Sequence, residues 1–466
     1  MDQSVRFDEA LIRRYDKSGP RYTSYPTAVQ FHEGFAEAEY RAWAARSNER
    51  SRQQTKPTPL SLYFHIPFCD TVCFYCGCNK IATKDRSKAA PYLERVYKEI
   101  AMQAELFDKN RVVEQLHWGG GTPTFISPDE MKELMAMTRK HFTLADDDTG
   151  EFSIEIDPRE VTQDSLQLLR DLGFNRLSLG VQDVSPVVQK AVNRIQPHEV
   201  TVAAVEGARK AGFKSISIDL IYGLPLQTAE SFNATLNWAI ETSPDRLSVF
   251  NYAHLPEMFK PQRRINEADL PSPAQKLEIL HQTIDKLTAA GYVYIGMDHF
   301  AKPDDELAVA QRNGTLYRNF QGYSTHADCD LIAMGVTSIG MVGDSYSQNA
   351  KDIETYYADI DAGKLPVFRG VDLDADDVLR RAVITQLICN FVLNMPSMGE
   401  KFGINFAEYF ATELAELKPM QEDGLISLDA DNIKVLPAGH LLIRNICMVF
   451  DKYLRAKKEQ RFSKVI

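Results

Sequence analysis

Residues 61–80 read SLYFHIPFCDTVCFYCGCNK, and the rest of the chain is arranged around them. An apolar, aromatic run (Leu62, Tyr63, Phe64, Ile66) leads into Cys69, Cys73, Cys76 and Cys78, spaced C-x₃-C-x₂-C-x-C. The run predicts a buried strand. A strand that ends in a short thiol-rich loop is a place to hold a soft metal centre, because thiolates crowded in sequence can converge on one group.

Outward from this stretch the pattern alternates strand and helix. Strands are predicted over 60–66, 115–119, 152–157, 176–181, 215–222, 246–252 and 292–298. Between them lie amphipathic stretches at 89–106, 128–141, 163–172, 199–211, 229–241 and 273–289, of a length that suits crossover helices. Ser127-Pro128 and Ser272-Pro273 mark helix starts, and Gly173, Gly212 and Gly291 mark ends. Such alternation predicts an α/β fold with a parallel sheet, open or TIM-like, whose chemistry belongs at the carboxyl ends of the strands. The unusual residues fall there: the thiol loop after the first strand, GGGTPT (119–124) after the second, Glu155 and Asp157 on the third.

The flanks read differently. Residues 1–59 form an arm whose landmark is KSGPRYTSYPTA at 17–28, with Arg21, Tyr22 and Tyr25 among glycine and prolines that discourage regular structure. It is either a tail packed on the body or a cover for substrate. Residues 47–59, polar and ending in prolines, read as a linker. A barrel is expected over 60–301. After it the pattern gives way to RNFQGYSTHADCD and MGVTSIGMVGD, then to a mostly helical stretch from 375 to 466 with a strand-like turn at 424–435. Residues 302–466 are read as a separate C-terminal domain.

Composition bounds the function. Hydrophobic residues at 44% and charged residues at 25% are those of a globular protein with a sizeable core. A net charge of −11 argues against general nucleic-acid binding but leaves room for a local basic pocket and an anionic substrate. Seven cysteines, four of them clustered, suit a reducing compartment and metal chemistry better than a disulfide framework. No secretory leader is expected, and no apolar run approaches the roughly 18 residues of a membrane span. A cytoplasmic monomer is the expectation.

Three metal readings of the cysteines compete: a four-thiolate zinc site, a four-thiolate electron-transfer cluster, and a cluster held by three thiolates with one iron open. Zinc sites usually space their ligands as two separated pairs, whereas here all four cysteines fall within ten residues. Ferredoxin runs read C-x₂-C-x₂-C, which this is not. An open coordination position is what a catalytic metal site needs.

C-x₃-C-x₂-C directly after a first barrel strand, with aromatic Tyr75 before the third cysteine, resembles the radical S-adenosylmethionine (SAM) superfamily. The resemblance implies a partial (β/α)₆ barrel and a 4Fe-4S cluster whose open iron holds the methionine end of SAM. It also implies a one-electron cleavage to a 5′-deoxyadenosyl radical. Further segments narrow the likeness: YFHIPFCDTVCFYCGCN, HWGGGTPT, SIEIDPRE, LGVQD, VNRIQ, IDLIYGLP, FNYAHLP, MDHFA, RNFQGY, the RYTSYPTA arm and the terminal RFSKVI. Together these are similar to the oxygen-independent coproporphyrinogen III oxidase family of haem biosynthesis. Haem-binding chaperones on the same scaffold, the alternative, lack the fourth cysteine and the arm, and both are present here.

The family resemblance implies residue roles. Cys69, Cys73 and Cys76 would ligate the cluster, and Cys78 would not. Two SAM molecules are implied. Tyr63, Gly120, Glu155, Arg194, Asp219, Ala253 and Ile339 match positions around the first. Tyr75, Gly121, Thr122 and Gln182 match positions around the second, with Phe320 and Gln321 a pair near it. The family often has Phe where Tyr75 stands, a change that ring stacking survives. Tyr63, Cys78 and Gln321 are the candidate catalytic residues. The implied substrate, coproporphyrinogen III, carries four carboxylates, for which Arg21, Arg263, Arg264 and Arg318 are candidate partners. An electron donor and an acceptor are also required. Glu155 and Asp219, at strand ends, could accept ribose hydroxyls, and Arg194 could face a carboxylate. His65 and His299 read as hydrogen-bonded structural residues, and Cys389 and Cys447, in apolar helical runs, as core.

Overall fold

The first barrel strand, β1 (Leu60–Ile66), buries Leu60, Leu62, Phe64 and Ile66 on one face and turns Ser61, Tyr63 and His65 to the other. The computed structural model describes residues 5–145 and 148–456, so the RFSKVI segment lies outside the described residues. After β2 (Val113–Gly120), the same period of two recurs in β3 (Glu151–Ile156), β4 (Arg176–Gln182) and β5 (Ser215–Tyr222), and β6 (Arg246–Asn251) follows. In β3, Phe152, Ile154 and Ile156 are buried among core residues while Glu151, Ser153 and Glu155 take the opposite face. Opposite faces follow from the pleat, and a sheet built this way has a helix-covered apolar side and a polar concave side. A packed barrel interior would be apolar.

All six strands pair in parallel, in chain order. The expected (β/α)₆ unit is therefore present, with connecting helices such as Ala89–Ala104, Pro128–His141 and Pro273–Ala289. Ser127 and Ser272 cap the last two through their side chains, each in a capping box, at the Ser-Pro starts that the sequence predicts.

Three expectations are corrected. The stretch 292–298 is not a seventh barrel strand. It splits into β7 (Val293–Gly296) and β8 (His299–Ala301), which pair with each other and place β8 antiparallel to β6. Gly296 and Met297 at positive φ reverse the chain there. Residues 302–372 do not stand apart from the barrel sheet. β9 (Asp330–Met334) pairs in parallel with the free edge of β1, and β10 (Ile339–Met341), β11 (Ser345–Asn349) and β12 (Val367–Asp372) follow antiparallel. One twelve-stranded sheet results, ordered β12-β11-β10-β9-β1-β2-β3-β4-β5-β6-β8-β7. Nor is 47–59 a linker throughout. Helix Glu37–Arg52 runs through its first part, and Ser47, Asn48 and Ser51 are buried. Arg111, itself buried, donates to Asp330 at 2.6 Å and to Ser47 and Asn48, fastening that helix to β9.

Residues beyond 375 are mostly helical, with a small sheet of Val392–Asn394, Asn432–Val435 and Ile426–Leu428 where the strand-like turn was expected. Cys389 and Cys447 are fully buried in its helices. The arm threads between this part and the barrel mouth. Arg21 meets Asp298 at 2.8 Å, Tyr22 donates to Asp451, and Phe31 stacks on Tyr346.

Candidate active site

Backbone contacts seat the thiol loop on the glycine run. Gly121 N–H donates to the Ile66 carbonyl and Thr122 N–H to that of Phe68, each at 2.8 Å. A Cβ added at Gly121 would stand 2.7 Å from the Phe68 carbonyl oxygen, so only glycine admits the loop this closely. Gly120 has φ +117°, and a Cβ there would meet the His65 ring. GGGTPT thus carries the shelf on which Cys69 rests. The Thr122 hydroxyl lies 3.5 Å from the Cys69 sulfur.

The four thiols have different surroundings. Burial raises Cys69 to about 11, where protein alone surrounds it. Cys76 is drawn down to about 5, first by the Cys78 thiol, which donates to it, and further by Lys80 and the Cys78 N–H at 3.4 Å. Cys78 correspondingly keeps its proton. Cys73 is buried, with Nη1 of Arg194 at 3.6 Å from its sulfur. Among the described residues no group of three His, Cys, Asp or Glu side chains is gathered for a single metal ion. An iron–sulfur cluster fits this donor set: soft thiols on one short loop, with donors from Thr122 and Arg194 to offset thiolate charge.

The polar face of the barrel brings most of the other predicted residues together. Tyr63 stacks on His117, with ring centroids 5.8 Å apart, and its hydroxyl meets His65 Nδ1 at 3.1 Å. His65 Nε2 is bonded in turn to the Asn79 carbonyl, so both ring nitrogens are used. Glu155 accepts the Gly120 N–H at 3.2 Å and faces His117 Nε2 at 3.4 Å. Ser178 holds Asp219 at 3.1 Å, and burial raises that carboxyl to about 6. Arg194 binds Asp157 and the Gly180 carbonyl, at 2.9 and 2.6 Å, while its Nε has no partner. Tyr75 lies against the same Arg194 and Cys73.

Gln182 follows a register shift in β4 at φ +71°, a conformation a side-chain-bearing residue rarely adopts, and its buried Oε1 is unpaired. Ile339, Phe320 and Tyr63 pack on one apolar group that also holds Phe31 of the arm. Gln321, on the hairpin Tyr317–Asn319/Gly322–Ser324, has an unpaired buried Nε2. Ala253 is exposed in the loop that follows β6.

Sequence reasoning missed His117 and assigned Asp157 no partner. The alternation in QLHWGG placed His117 on the face of Tyr63, a signal available at period two. The Asp157–Arg194 pair joins residues 37 apart in sequence and had no local signal.

Comparison with known proteins follows the same outline. Residues 63–239 match the Radical SAM superfamily model, and residues 373–442 match the HemN C-terminal domain. The chain is 56% identical over 466 residues to an oxygen-independent coproporphyrinogen III oxidase of Pseudomonas aeruginosa, covering 100% of both. It is 53% identical over 465 residues to the Escherichia coli protein of that name, covering 100% of this chain and 99% of the other. Its structure is similar to that of E. coli coproporphyrinogen III oxidase (HemN), described as a radical SAM enzyme, with a TM-score of 0.91 and 51% identity. That match covers 97% of this chain and 100% of the other.

Proposed function

We start from the fact that this chain belongs to the oxygen-independent coproporphyrinogen III oxidase family of the radical SAM superfamily, and we propose the residues with which it works. It is an oxidoreductase of haem biosynthesis that converts coproporphyrinogen III to protoporphyrinogen IX, turning two propionates into vinyl groups without oxygen. Its 4Fe-4S cluster, when bound, supplies the electron that cleaves SAM to the radical that takes a hydrogen from a propionate β-carbon. Each propionate then loses CO₂ and one electron, so two SAM are consumed.

In this reading Cys69, Cys73 and Cys76 hold the cluster. Cys78 keeps a proton at its sulfur and donates to Cys76. Tyr63, Gly120, Glu155, Arg194, Asp219, Ala253 and Ile339 line the first SAM site. Tyr75, Gly121, Thr122, Gln182 and Phe320 line the second. Tyr63 and Gln321 orient the reacting groups, Tyr63 through its stacked, hydrogen-bonded ring and Gln321 through its unpaired amide. The arm (1–59) covers the mouth, the barrel sheet with the strands of 330–372 on its edge carries the radical chemistry, and the helical part beyond 375 closes the substrate side. The observation that carries the assignment is the Cys73–Arg194–Asp157 contact, which joins the thiol loop to the carboxyl end of β3 in one site.

An external electron donor and an acceptor complete the scheme. All seven cysteines are free, as suits a reducing, cytoplasmic setting, and size-exclusion chromatography tests the monomer. The deciding experiment is anaerobic incubation of the reconstituted protein with reductant, SAM and coproporphyrinogen III, followed by mass analysis. Loss of two CO₂ with formation of 5′-deoxyadenosine is expected. SAM cleavage beside an untouched tetrapyrrole would overturn the substrate assignment.

A further inference from the structure

Beside the lumen of this acidic chain lies a buried positive charge that pairs with no carboxylate among the described residues. Arg318 is only 8% exposed, and its Nε and Nη1 have no hydrogen-bond partner. Its guanidinium lies 4.8 Å over the ring of Tyr323, its cross-strand neighbour on the hairpin that also carries Phe320 and Gln321. The Tyr323 ring is in turn 5.1 Å from His299, whose Nδ1 is also buried and unpaired. His299 pairs with Ser248 and Ser248 with Asp219, so the ring belongs to the polar face of the barrel.

Arg444 lies within electrostatic reach of Arg21, Arg318 and Asp298. Asp298 is taken by Arg21 at 2.8 Å. Arg444 donates to the carbonyl oxygens of Pro20 and Gly19. His299 adds no charge, because burial first, and Arg318 and Arg21 after it, push it down to about 3. Among the described residues, then, no carboxylate pairs with Arg318. A buried charge without a partner is costly, and a cation–π contact returns only part of that cost. The other arginines named from the sequence differ: Arg263 and Arg264 are exposed, the first bonded to the Pro256 carbonyl and the second lying over Phe74.

We propose that Arg318 is the residue that fixes a propionate carboxylate of the substrate, with His299 and Arg21 beside it. The bound carboxylate supplies the acceptor and the counter-charge that the described residues do not give Arg318. Its position on the Phe320–Gln321 hairpin and next to the His299–Asp219 face sets the tetrapyrrole between the two. The inference rests on the oxidase reading.

The test separates the two. Reconstituted anaerobic protein is titrated with fluorescent coproporphyrin III, which has four free carboxylates, and with its tetramethyl ester. Wild type is expected to prefer the acid. Arg318→Met is expected to weaken acid binding on the order of 30-fold or more, to leave ester binding in place, and not to lower Tm, since it removes an uncompensated charge. Arg318→Lys keeps the charge without the planar fork, and an intermediate acid affinity is expected. Unchanged acid-over-ester preference in Arg318→Met overturns the proposal. So does a loss of folding in both variants, which would make the residue structural. A wild-type protein that yields no vinyl product would sink the oxidase reading instead, and that result is scored on product rather than on binding.

Discussion

One nitrogen of Arg194, Nη1, contacts both the Cys73 sulfur at 3.6 Å and the Asp157 carboxylate at 2.9 Å. The same guanidinium holds the Gly180 carbonyl through Nη2. The thiol loop, the end of β3 and the end of β4 are thereby tied through one buried side chain. Asp157 also accepts two bonds from Arg159, so removing Asp157 leaves both guanidiniums without their carboxylate.

Asp157→Asn should therefore cost about 3–5 kcal/mol of stability, the range for breaking a buried ion pair. Urea unfolding measures it. SAM affinity, by equilibrium dialysis, should fall with it, and a variant that unfolds and binds like wild type would show the pair to be idle.

Gly121→Ala should loosen the thiol loop. The new methyl meets backbone at 2.7 Å, which cannot swing away as a side chain would. The cost is about 1–3 kcal/mol, and iron content after reconstitution should drop sharply. Full iron loading would show that the loop can shift without harm.

Cys73→Ser should abolish cluster binding, whereas Cys78→Ser should retain iron. In the second variant the hydroxyl still reaches toward Cys76, but the catalytic rate should fall. Equal iron loss in both would refute the division of the thiols.

Buried carboxyls set a pH dependence. Glu99 is raised to about 7, and Asp183 and Asp219 to about 6, in each case mainly by burial. Each holds its proton more tightly folded than unfolded. Their contribution is present in full below the unfolded values near 4 and is lost as pH rises through the folded values, between about 4 and 7. The urea midpoint should decline across this window. Glu99→Gln, which cannot ionise, should flatten the decline, and an unchanged slope would remove Glu99 from the account.

Arg111→Met should destabilise by about 3–5 kcal/mol, because it strands buried Asp330. Limited proteolysis should then cut within helix Glu37–Arg52, which Arg111 fastens to β9 through Ser47 and Asn48. Resistance equal to wild type would show that other contacts suffice.

The sequence by itself determined the alternating barrel, because a period of two in the strands and amphipathic crossovers between them are local signals. The thiol loop and the glycine shelf were equally legible, since each lies in one short segment. Only the tertiary structure decided what joins them. Gly121 is needed because the Phe68 backbone passes within reach of it, 53 residues back in the chain. β9 completes the sheet beside β1, although Asp330 and Leu60 are 270 residues apart, and a stretch of loops and short strands gives no sign of that pairing. Arg318 reads as one of four candidate arginines for the substrate. What sets it apart is burial without a paired carboxylate among the described residues, a property of everything folded around it, which no window of sequence contains.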